Sequence, residues 1–175
     1  MSTIAALYFM LPAYISNLVP PLIKRWKILD KPMDFGIKIR GKRMFGAHKT
    51  WRGFLIGTVS GTIVFMMQRA WTPPGSSIAL FDYSQASIWI GVALAAGALI
   101  GDAVKSLIKR QIGIAPGHPW PIFDQLDYVV GSLLIASAWY TPSWTDIGLI
   151  FALSLLLTVL VKHIGYWVGV NKVAW

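Results

Sequence analysis

The chain has 175 residues, of which 55% are hydrophobic and only 13% are charged. Soluble domains carry about 25% charged residues, so this composition predicts an integral membrane protein. The sequence has no cysteine and no HExxH, CxxC, GxSxG or phosphate-loop motif, which excludes thiol chemistry and most zinc, serine-hydrolase and P-loop enzymes.

Five apolar segments predict an all-α, polytopic membrane protein with five transmembrane helices in one membrane domain, residues 1–175. The segments are separated by stretches rich in Gly and Pro, which end helices. Two of these stretches, 24–52 and 111–124, are predicted as cytoplasmic loops, and the first is long and basic. The predicted helices cover residues 3–23, 53–68, 86–110, 125–140 and 144–168.

The basic residues predict the orientation of these helices. Fifteen of the sixteen Lys and Arg residues fall on one side of the predicted membrane, including Lys162 and Lys172 near the C-terminus, and only Arg69 falls on the other. Because cytoplasmic loops are enriched in Lys and Arg, the N-terminus is expected outside and the C-terminus in the cytoplasm. The net charge of +9 is explained in the same way, and we expect no nucleic-acid partner.

The loop between the first two helices ends in GAHKTWRG. Gly46 allows backbone amides to approach a phosphate, while Lys49, Thr50 and Arg52 supply donors at the start of the second helix. A helix N-terminus also favours an anion, so this segment predicts a phosphate-binding site. The alternative is a set of ordinary basic residues beside the membrane.

The third helix carries Asp102, Lys105, Ser106 and Lys109, which fall within one stripe about 100° wide at 100° per residue. All seven acids of the chain are Asp, and an acid in a membrane-length segment is costly and indicates function. The alternative is an Asp102–Lys105 pair one turn apart, with the lysines extended to the membrane surface.

Asp124 and Asp127 share one face at the start of the fourth helix. With Asp102 they form a cluster of hard oxygen ligands, which predicts a Mg²⁺ site completed by substrate phosphates. Neighbouring cations, among them Arg110, suit a polyphosphate. The alternatives are that Asp124 is a helix N-cap and that His118, in the loop before it, is merely solvated.

The segment 101–127 resembles the signature of the CTP-dependent phosphatidate cytidylyltransferases. The matching residues are Ser106, Lys109, Arg110, His118, Asp124 and Asp127. The chain departs from that signature where Gln111 and Ile112 replace a Lys-Asp pair. It departs again where Pro119 and Trp120 replace paired glycines, and where Gln125 replaces an Arg.

Most of the chain is more similar to the archaeal branch of this family, the CDP-archaeol synthases, which are short and share the basic loop. The residues that carry this likeness are Asn17, Pro20, Asp30, Asp34, Arg40, Gly41, Gly46, Lys49, Thr50, Arg52 and Gly53. The resemblance implies a Mg²⁺-dependent enzyme of the cell membrane. It would transfer the cytidylyl group of CTP to an isoprenoid glycerol-phosphate lipid and release pyrophosphate.

The resemblance and the residue patterns together assign roles at an active site facing the cytoplasm. The catalytic residues are expected to be Asp102, Lys105, Lys109, Asp124 and Asp127, with the three Asp also holding the metal. The residues expected to bind the nucleotide and phosphates are Gly46, Lys49, Thr50, Arg52, Ser106, Arg110 and His118.

Three other functions also fit parts of the sequence. A small transporter would use the intramembrane Asp and Lys side chains as an ion relay, although the chain lacks a repeat. A CDP-alcohol phosphotransferase would need a longer Asp-rich helical motif, which is missing here. A scaffold whose basic loop binds anionic lipid would leave Asp102, Asp124 and Asp127 unexplained.

Overall fold

The computed structural model describes residues 3–115 and 118–167. Within that part of the chain there are five α-helices, which confirms the predicted number. They are α1 (Thr3–Leu22), α2 (Trp51–Trp71), α3 (Ile88–Gln111), α4 (Phe123–Ala136) and α5 (Trp144–Trp167). Lys172 and residue 168, on which the predicted C-terminal end depends, lie outside the described residues.

The long basic loop contains a small β-hairpin, which is a departure from a purely helical fold. Strand β1 (Lys38–Ile39) pairs antiparallel with β2 (Lys42–Arg43). The two turn residues between them, Arg40 and Gly41, have φ values of 51° and 77°, as a tight two-residue hairpin turn requires. Strands of two residues are too short for an alternating pattern to reveal them in the sequence.

Side-chain caps set where two of the helices begin. The Thr50 hydroxyl accepts a hydrogen bond from the Gly53 amide at 3.2 Å, so α2 begins two residues earlier than predicted. Ser87 caps α3 in the same way, accepting from the Trp89 amide at 3.3 Å. The fourth helix is shifted toward the N-terminus, so its first turn includes Asp124.

Helix α3 lies at the centre of the bundle and packs against α1, α2 and α4, while α5 packs against α4 and α1. Small residues allow the backbones to approach closely. A Cβ atom placed on Gly57 would lie 2.7 Å from the Ser16 carbonyl oxygen, and one on Gly97 would lie 2.6 Å from the Gly131 oxygen. This is the packing expected of helices that associate in a bilayer.

The two ends of the bundle differ in character. One end is closed by aromatic rings, with Phe81 stacked on the buried Tyr83 at a centroid distance of 4.5 Å. The opposite end gathers both polar loops, and there the Lys42 ammonium donates to the Gln111 carbonyl at 3.2 Å. The charged residues of the sequence are therefore concentrated at one end.

Three of the described helices are long and apolar enough to cross a membrane, namely α1, α3 and the first 18 residues of α5. Helix α2 has 21 residues but is less apolar. Helix α4 has 14 residues, about 21 Å of helix, against a hydrocarbon core of about 30 Å. The protein is a membrane protein, and the five-span arrangement remains a prediction.

Candidate active site

Three carboxylates meet where α3 and α4 face the basic loop, and we call them the carboxylate cluster: Asp102, Asp124 and Asp127. The ammonium of Lys105 lies at their centre. Its Nζ atom is 3.0 Å from Asp102 Oδ1, 3.1 Å from Asp124 Oδ1 and 2.8 Å from Asp127 Oδ2. The predicted ion pair between Asp102 and Lys105 therefore forms. The Lys105 side chain, however, points toward the carboxylates instead of extending to the membrane surface.

Two more ammonium groups surround the cluster. Lys49, from the basic loop, pairs with Asp102. Lys109 donates to both oxygens of Asp124 at 3.0 Å and to the backbone carbonyl of His118 at 2.7 Å. His118 thus contributes its carbonyl, while the residue itself is exposed. Three carboxylates and three ammonium groups leave this assembly electrically neutral.

The start of α4 holds Asp124 by its backbone. The carboxylate accepts from the Trp120 amide at 2.6 Å, across a turn in which Ile122 has a φ of 69°, a conformation rare for a β-branched residue. The alternative that Asp124 is the N-cap is wrong, because the capping position is Ile122 and has no side-chain cap. Asp127 lies one turn further on.

Close packing of α3 on α4 sets the distance between their charged side chains. A Cβ on Gly101 would overlap the backbone oxygen of Asp127 and would lie 3.1 Å from Gly131 Cα. Only a glycine therefore allows the two backbones to come this near. The sequence shows Gly101 directly before Asp102, but nothing local indicates that it faces α4.

A cavity of about 740 Å³ opens onto the carboxylate cluster. Its polar wall includes Lys49, Thr50 and Arg52. Its other wall is apolar and is formed by residues from α1, α2 and α3: Pro20, Pro21, Phe54 and Leu99. The cavity therefore places charged groups beside a hydrophobic surface, which suits an amphiphilic ligand.

A second cavity, of about 520 Å³, adjoins the first at the loop segment 47–49. Both cavities contact Ala47, His48 and Lys49. Its lining is rich in cations, among them Lys42 and Arg43. It also includes four of the predicted phosphate-binding residues: Gly46, Lys49, Ser106 and Arg110. The predicted nucleotide-binding residues are therefore divided between two adjoining cavities, except His118, which lines neither of them.

Three of the predicted binding residues already form hydrogen bonds with nearby protein groups. The Gly46 amide donates to Asp34 at 3.1 Å, so it faces a carboxylate in this structure. The Ser106 hydroxyl donates to the Asp102 carbonyl at 2.8 Å. Arg110 donates through Nη1 to the Ile114 carbonyl.

Thr50 and Arg52 line the larger cavity at the start of α2. The Thr50 oxygen caps this helix, as described above. Arg52 is buried and donates through Nη2 to Asp30 at 2.8 Å and to the Lys24 carbonyl at 3.2 Å. Its Nε and Nη1 atoms are buried and have no hydrogen-bond partner among the described residues.

Asp34 holds the basic loop in shape from outside the two cavities, and no role for it was predicted from the spacing of the charged residues. Its buried carboxylate accepts from the amides of Gly36 (3.0 Å), Phe45 (3.2 Å) and Gly46 (3.1 Å) and from Arg43 (2.6 Å). Burial alone would raise the pKa of Asp34, but these donors outweigh burial and lower the pKa to about 2. The spacing of Asp34 and Gly36 is the one local signal, since an Asp often bonds the amide two residues on.

The chemistry of the carboxylate cluster suits a bound cation. Among the described residues, no three His, Cys, Asp or Glu side chains are spaced to hold a metal ion by themselves. Yet three carboxylates converge on one positive charge, the Lys105 ammonium. Two of these carboxylates with substrate phosphates would supply the oxygen ligands that Mg²⁺ prefers.

Comparisons with known proteins identify the family to which this chain belongs. The model of one family, CarS-like, described as CDP-archaeol synthase, matches residues 2–175. The curated CDP-archaeol synthase of Methanopyrus kandleri is 38% identical over 97% of this chain and 91% of its own length. That of Pyrococcus furiosus is 33% identical over 97% and 93%.

A solved structure, described as an intramembrane enzyme for archaeal membrane lipid biosynthesis, is 31% identical to this chain. The two superpose with a TM-score of 0.73, over 90% of this chain and 92% of that one. The resemblance inferred from the sequence is thereby confirmed. The chain belongs to the CarS-like family of CDP-archaeol synthases.

Proposed function

We propose that this protein transfers the cytidylyl group of CTP to a membrane lipid phosphate, 2,3-bis-O-(geranylgeranyl)-sn-glycerol 1-phosphate. The products are the CDP-lipid, CDP-archaeol, and pyrophosphate. The observation that carries this proposal is the neutral assembly of three Asp and three Lys side chains. It lies on a cavity that also has an apolar wall, in a chain of this family.

The reaction needs little acid–base chemistry from the protein. An oxygen of the lipid phosphate, already anionic at neutral pH, attacks the α-phosphorus of CTP. The bond from that phosphorus to its bridging oxygen breaks, and pyrophosphate leaves with the bonding electron pair. The barrier is the approach of two anions, so the protein must position them and neutralise their charge.

Three cations of the site would carry out that task. Arg52 lines the larger cavity together with its apolar residues, and it would hold the lipid phosphate. Lys49 contacts both cavities and would bridge the two reacting phosphates. Arg110, in the smaller cavity, would stabilise the departing pyrophosphate.

Magnesium is the cofactor that we propose for the carboxylate cluster. Asp124 and Asp127, with Asp102, would hold it. The ion would supply charge neutralisation at the phosphate oxygens of CTP. Lys109 fixes Asp124 through two hydrogen bonds of 3.0 Å, so that carboxylate is already oriented before any ligand binds.

We place the active site on the cytoplasmic side of the cell membrane. In support, the end of the bundle that carries the site also carries the loop with ten of the sixteen basic residues. Cytoplasmic loops are the ones enriched in Lys and Arg. CTP is available on that side.

The ion-relay alternative is not favoured. It would leave the cation-rich second cavity without a role, and the chain belongs to a family of synthases. A transporter of this kind would bind no CTP, which separates the two functions in a binding experiment.

The test is pyrophosphate release by purified protein in detergent. The lipid phosphate and Mg²⁺ would be supplied with CTP, ATP or GTP in separate reactions. We expect release with CTP, and a loss of about 100-fold or more in kcat for Asp124→Asn and Asp127→Asn, since each removes an anionic ligand of the proposed Mg²⁺, and with it charge neutralisation at the reacting phosphates.

The matched control is Asp82→Asn. Asp82 is exposed and caps the short turn Tyr83–Gln85 at the aromatic end of the bundle. The same chemical change there is expected to leave kcat within about twofold, because the turn contacts neither cavity. Folded wild-type protein that releases no pyrophosphate with any of the three nucleotides would contradict the proposed function.

A further inference from the structure

Lys105 differs from the other two lysines of the site in what holds it. All three of its ion-pair partners are carboxylates of the cluster, at 2.8–3.1 Å. Lys109 is held by a backbone carbonyl as well as by Asp124, and Lys49 pairs with Asp102 from outside the two helices. Lys105 alone therefore fills the point on which the carboxylates converge.

A divalent cation bound by the same carboxylates needs that position. Mg²⁺ takes oxygen ligands at about 2.0–2.1 Å, closer than the ammonium now lies. Two cations cannot share one set of oxygens at these distances, because their repulsion in a partly buried site is strong. Lys105 lines the larger cavity, and this cavity of about 740 Å³ gives its side chain room to leave.

We propose that Lys105 is an internal counter-ion that occupies the metal position until substrate arrives and is displaced when the metal binds. This inference rests on the proposed function and adds a role for one residue. In the free enzyme, the ammonium contacts all three carboxylates and, with Lys49 and Lys109, keeps them neutralised. In the loaded enzyme, the same ammonium is released into the cavity, where it neutralises the phosphates.

The exchange couples metal binding to nucleotide binding. A metal ion that binds alone displaces Lys105 and separates its ammonium from the carboxylates that now hold it. A metal ion that arrives with CTP brings the triphosphate that receives the ammonium. Each ligand must therefore raise the affinity for the other, because coupling between two sites is reciprocal.

Binding of Mn²⁺, followed by the electron paramagnetic resonance of the free ion, tests this without any turnover. The protein would be titrated in detergent with and without CTP. The Mn²⁺ that CTP binds by itself, measured in a titration without protein, would be subtracted, because the triphosphate is also a ligand for the ion. For wild-type protein we expect weak binding that CTP strengthens. For Lys105→Met we expect binding without CTP to be at least tenfold tighter, about 1.4 kcal/mol, and a smaller effect of CTP.

Lys27→Met is the control for loss of a positive charge. Lys27 is exposed in the basic loop and lines neither cavity. The affinity of the Lys27→Met variant for Mn²⁺ is therefore expected to equal that of the wild-type protein. A change of similar size in both variants would mean that net charge, not displacement of Lys105, sets the affinity, and would overturn the inference.

Lys105→Arg keeps the test decisive if Lys105→Met does not fold. A guanidinium holds carboxylates through two parallel hydrogen bonds and is harder to displace, so Mn²⁺ should bind this variant no more tightly than wild type, even with CTP. Tighter binding to Lys105→Arg would overturn the inference, and so would equal binding to wild type and Lys105→Met.

These outcomes separate the inference from the function on which it rests. If neither wild type nor Lys105→Met binds Mn²⁺ with or without CTP, the proposed metal is wrong and the inference falls with it. If CTP-dependent pyrophosphate release is found but both proteins bind Mn²⁺ equally, the function stands and only the role of Lys105 is wrong.

Discussion

At the scale of single residues, Asp34 shows how one buried carboxylate can shape a site that it does not touch. One of its oxygens accepts from Gly36 and Arg43, and the other accepts from Phe45 and Gly46. These bonds fold the loop back beside the hairpin. The segment that follows Gly46 then delivers Lys49 to Asp102.

Asp34 predicts a dependence of stability on pH. Its pKa is about 2 in the folded protein and about 3.9 in an unfolded chain. A lowered pKa of a carboxyl group stabilises the folded protein. This contribution is complete when the pH is above the pKa of the unfolded chain, and it is lost as the pH falls from about 4 to about 2. The loss amounts to about 2 kcal/mol. Thermal unfolding in detergent between pH 6 and pH 2 would measure it.

Asp34→Asn is the variant that isolates this effect. An amide has one acceptor oxygen, so either orientation turns an NH₂ group toward backbone donors. We expect the variant to be less stable than wild type by about 2 kcal/mol near neutral pH, with the difference shrinking as the pH approaches 2. A difference that stays constant over that range would mean that the Asp34 charge is not its source. Asp82→Asn, at an exposed carboxylate, should show no such trend.

The residues of the site could be predicted from the sequence where they share a helix. Asp102, Lys105 and Lys109 lie one turn apart, and helical spacing brings such residues to one face. The central position of Lys105 could not be predicted, because it depends on how α3 and α4 pack. The contacts of Asp34 with Arg43, Phe45 and Gly46 depend on the path of an irregular loop, and its spacing from Gly36 is their one local signal.

At the scale of elements, the contact between α3 and α4 controls the geometry of the carboxylate cluster. Asp102 and Lys105 belong to one helix, and Asp124 and Asp127 to the other. Gly101 faces the Asp127 backbone with no room for a side chain. Any separation of the two helices therefore lengthens the ion pairs from Lys105.

Gly101→Ala is expected to separate these helices. The added methyl group overlaps the backbone oxygen of Asp127, and backbone cannot turn aside as a side chain can. Overpacking of this kind costs about 1–3 kcal/mol. A displacement of about 1 Å at a catalytic centre lowers the rate about 100-fold. Thermal unfolding and pyrophosphate release would measure both effects on the same preparation.

Gly148→Ala provides the matched control for Gly101→Ala. Gly148 lies in α5, and a Cβ there meets nothing within 4 Å. Because Ala favours helix over Gly by about 1 kcal/mol, this variant should be as stable as wild type or more so, with unchanged activity. Equal losses in the two variants would show that α3–α4 packing is not the cause.

Helices were predicted well where an apolar run is bounded by a capping residue or a turn, as for α1 and α5. The fourth helix was placed two residues late at its start because Asp124 suggests a cap. The actual start follows from the unusual φ of Ile122, which no propensity indicates. The hairpin was missed because each of its strands has two residues.

At the scale of the whole molecule, charge is divided unequally between the ends of the bundle. The aromatic end is capped by Phe81 and Tyr83, and the other end carries the basic loop and the site. The number of helices and this polarity were readable from the sequence, because they depend on apolar length and on counts of Lys and Arg. Whether α2 crosses the membrane is less evident from its composition, since it falls short of α1, α3 and α5 in apolar character.

Cysteine labelling tests the orientation and the span of α2 together. The chain has no cysteine, so Lys38→Cys and Ser77→Cys each carry a single thiol, and both positions are exposed. They lie on either side of α2, and no other helix lies between them in the chain. If α2 spans the membrane with the site in the cytoplasm, a membrane-impermeant maleimide should label Ser77→Cys in intact cells. It should label Lys38→Cys only after the membrane is opened.

Labelling of both in intact cells would show that α2 does not cross, and the reverse pattern would place the carboxylate cluster, and with it the CTP site, outside. Labelling of both proteins in detergent confirms that each thiol is reactive.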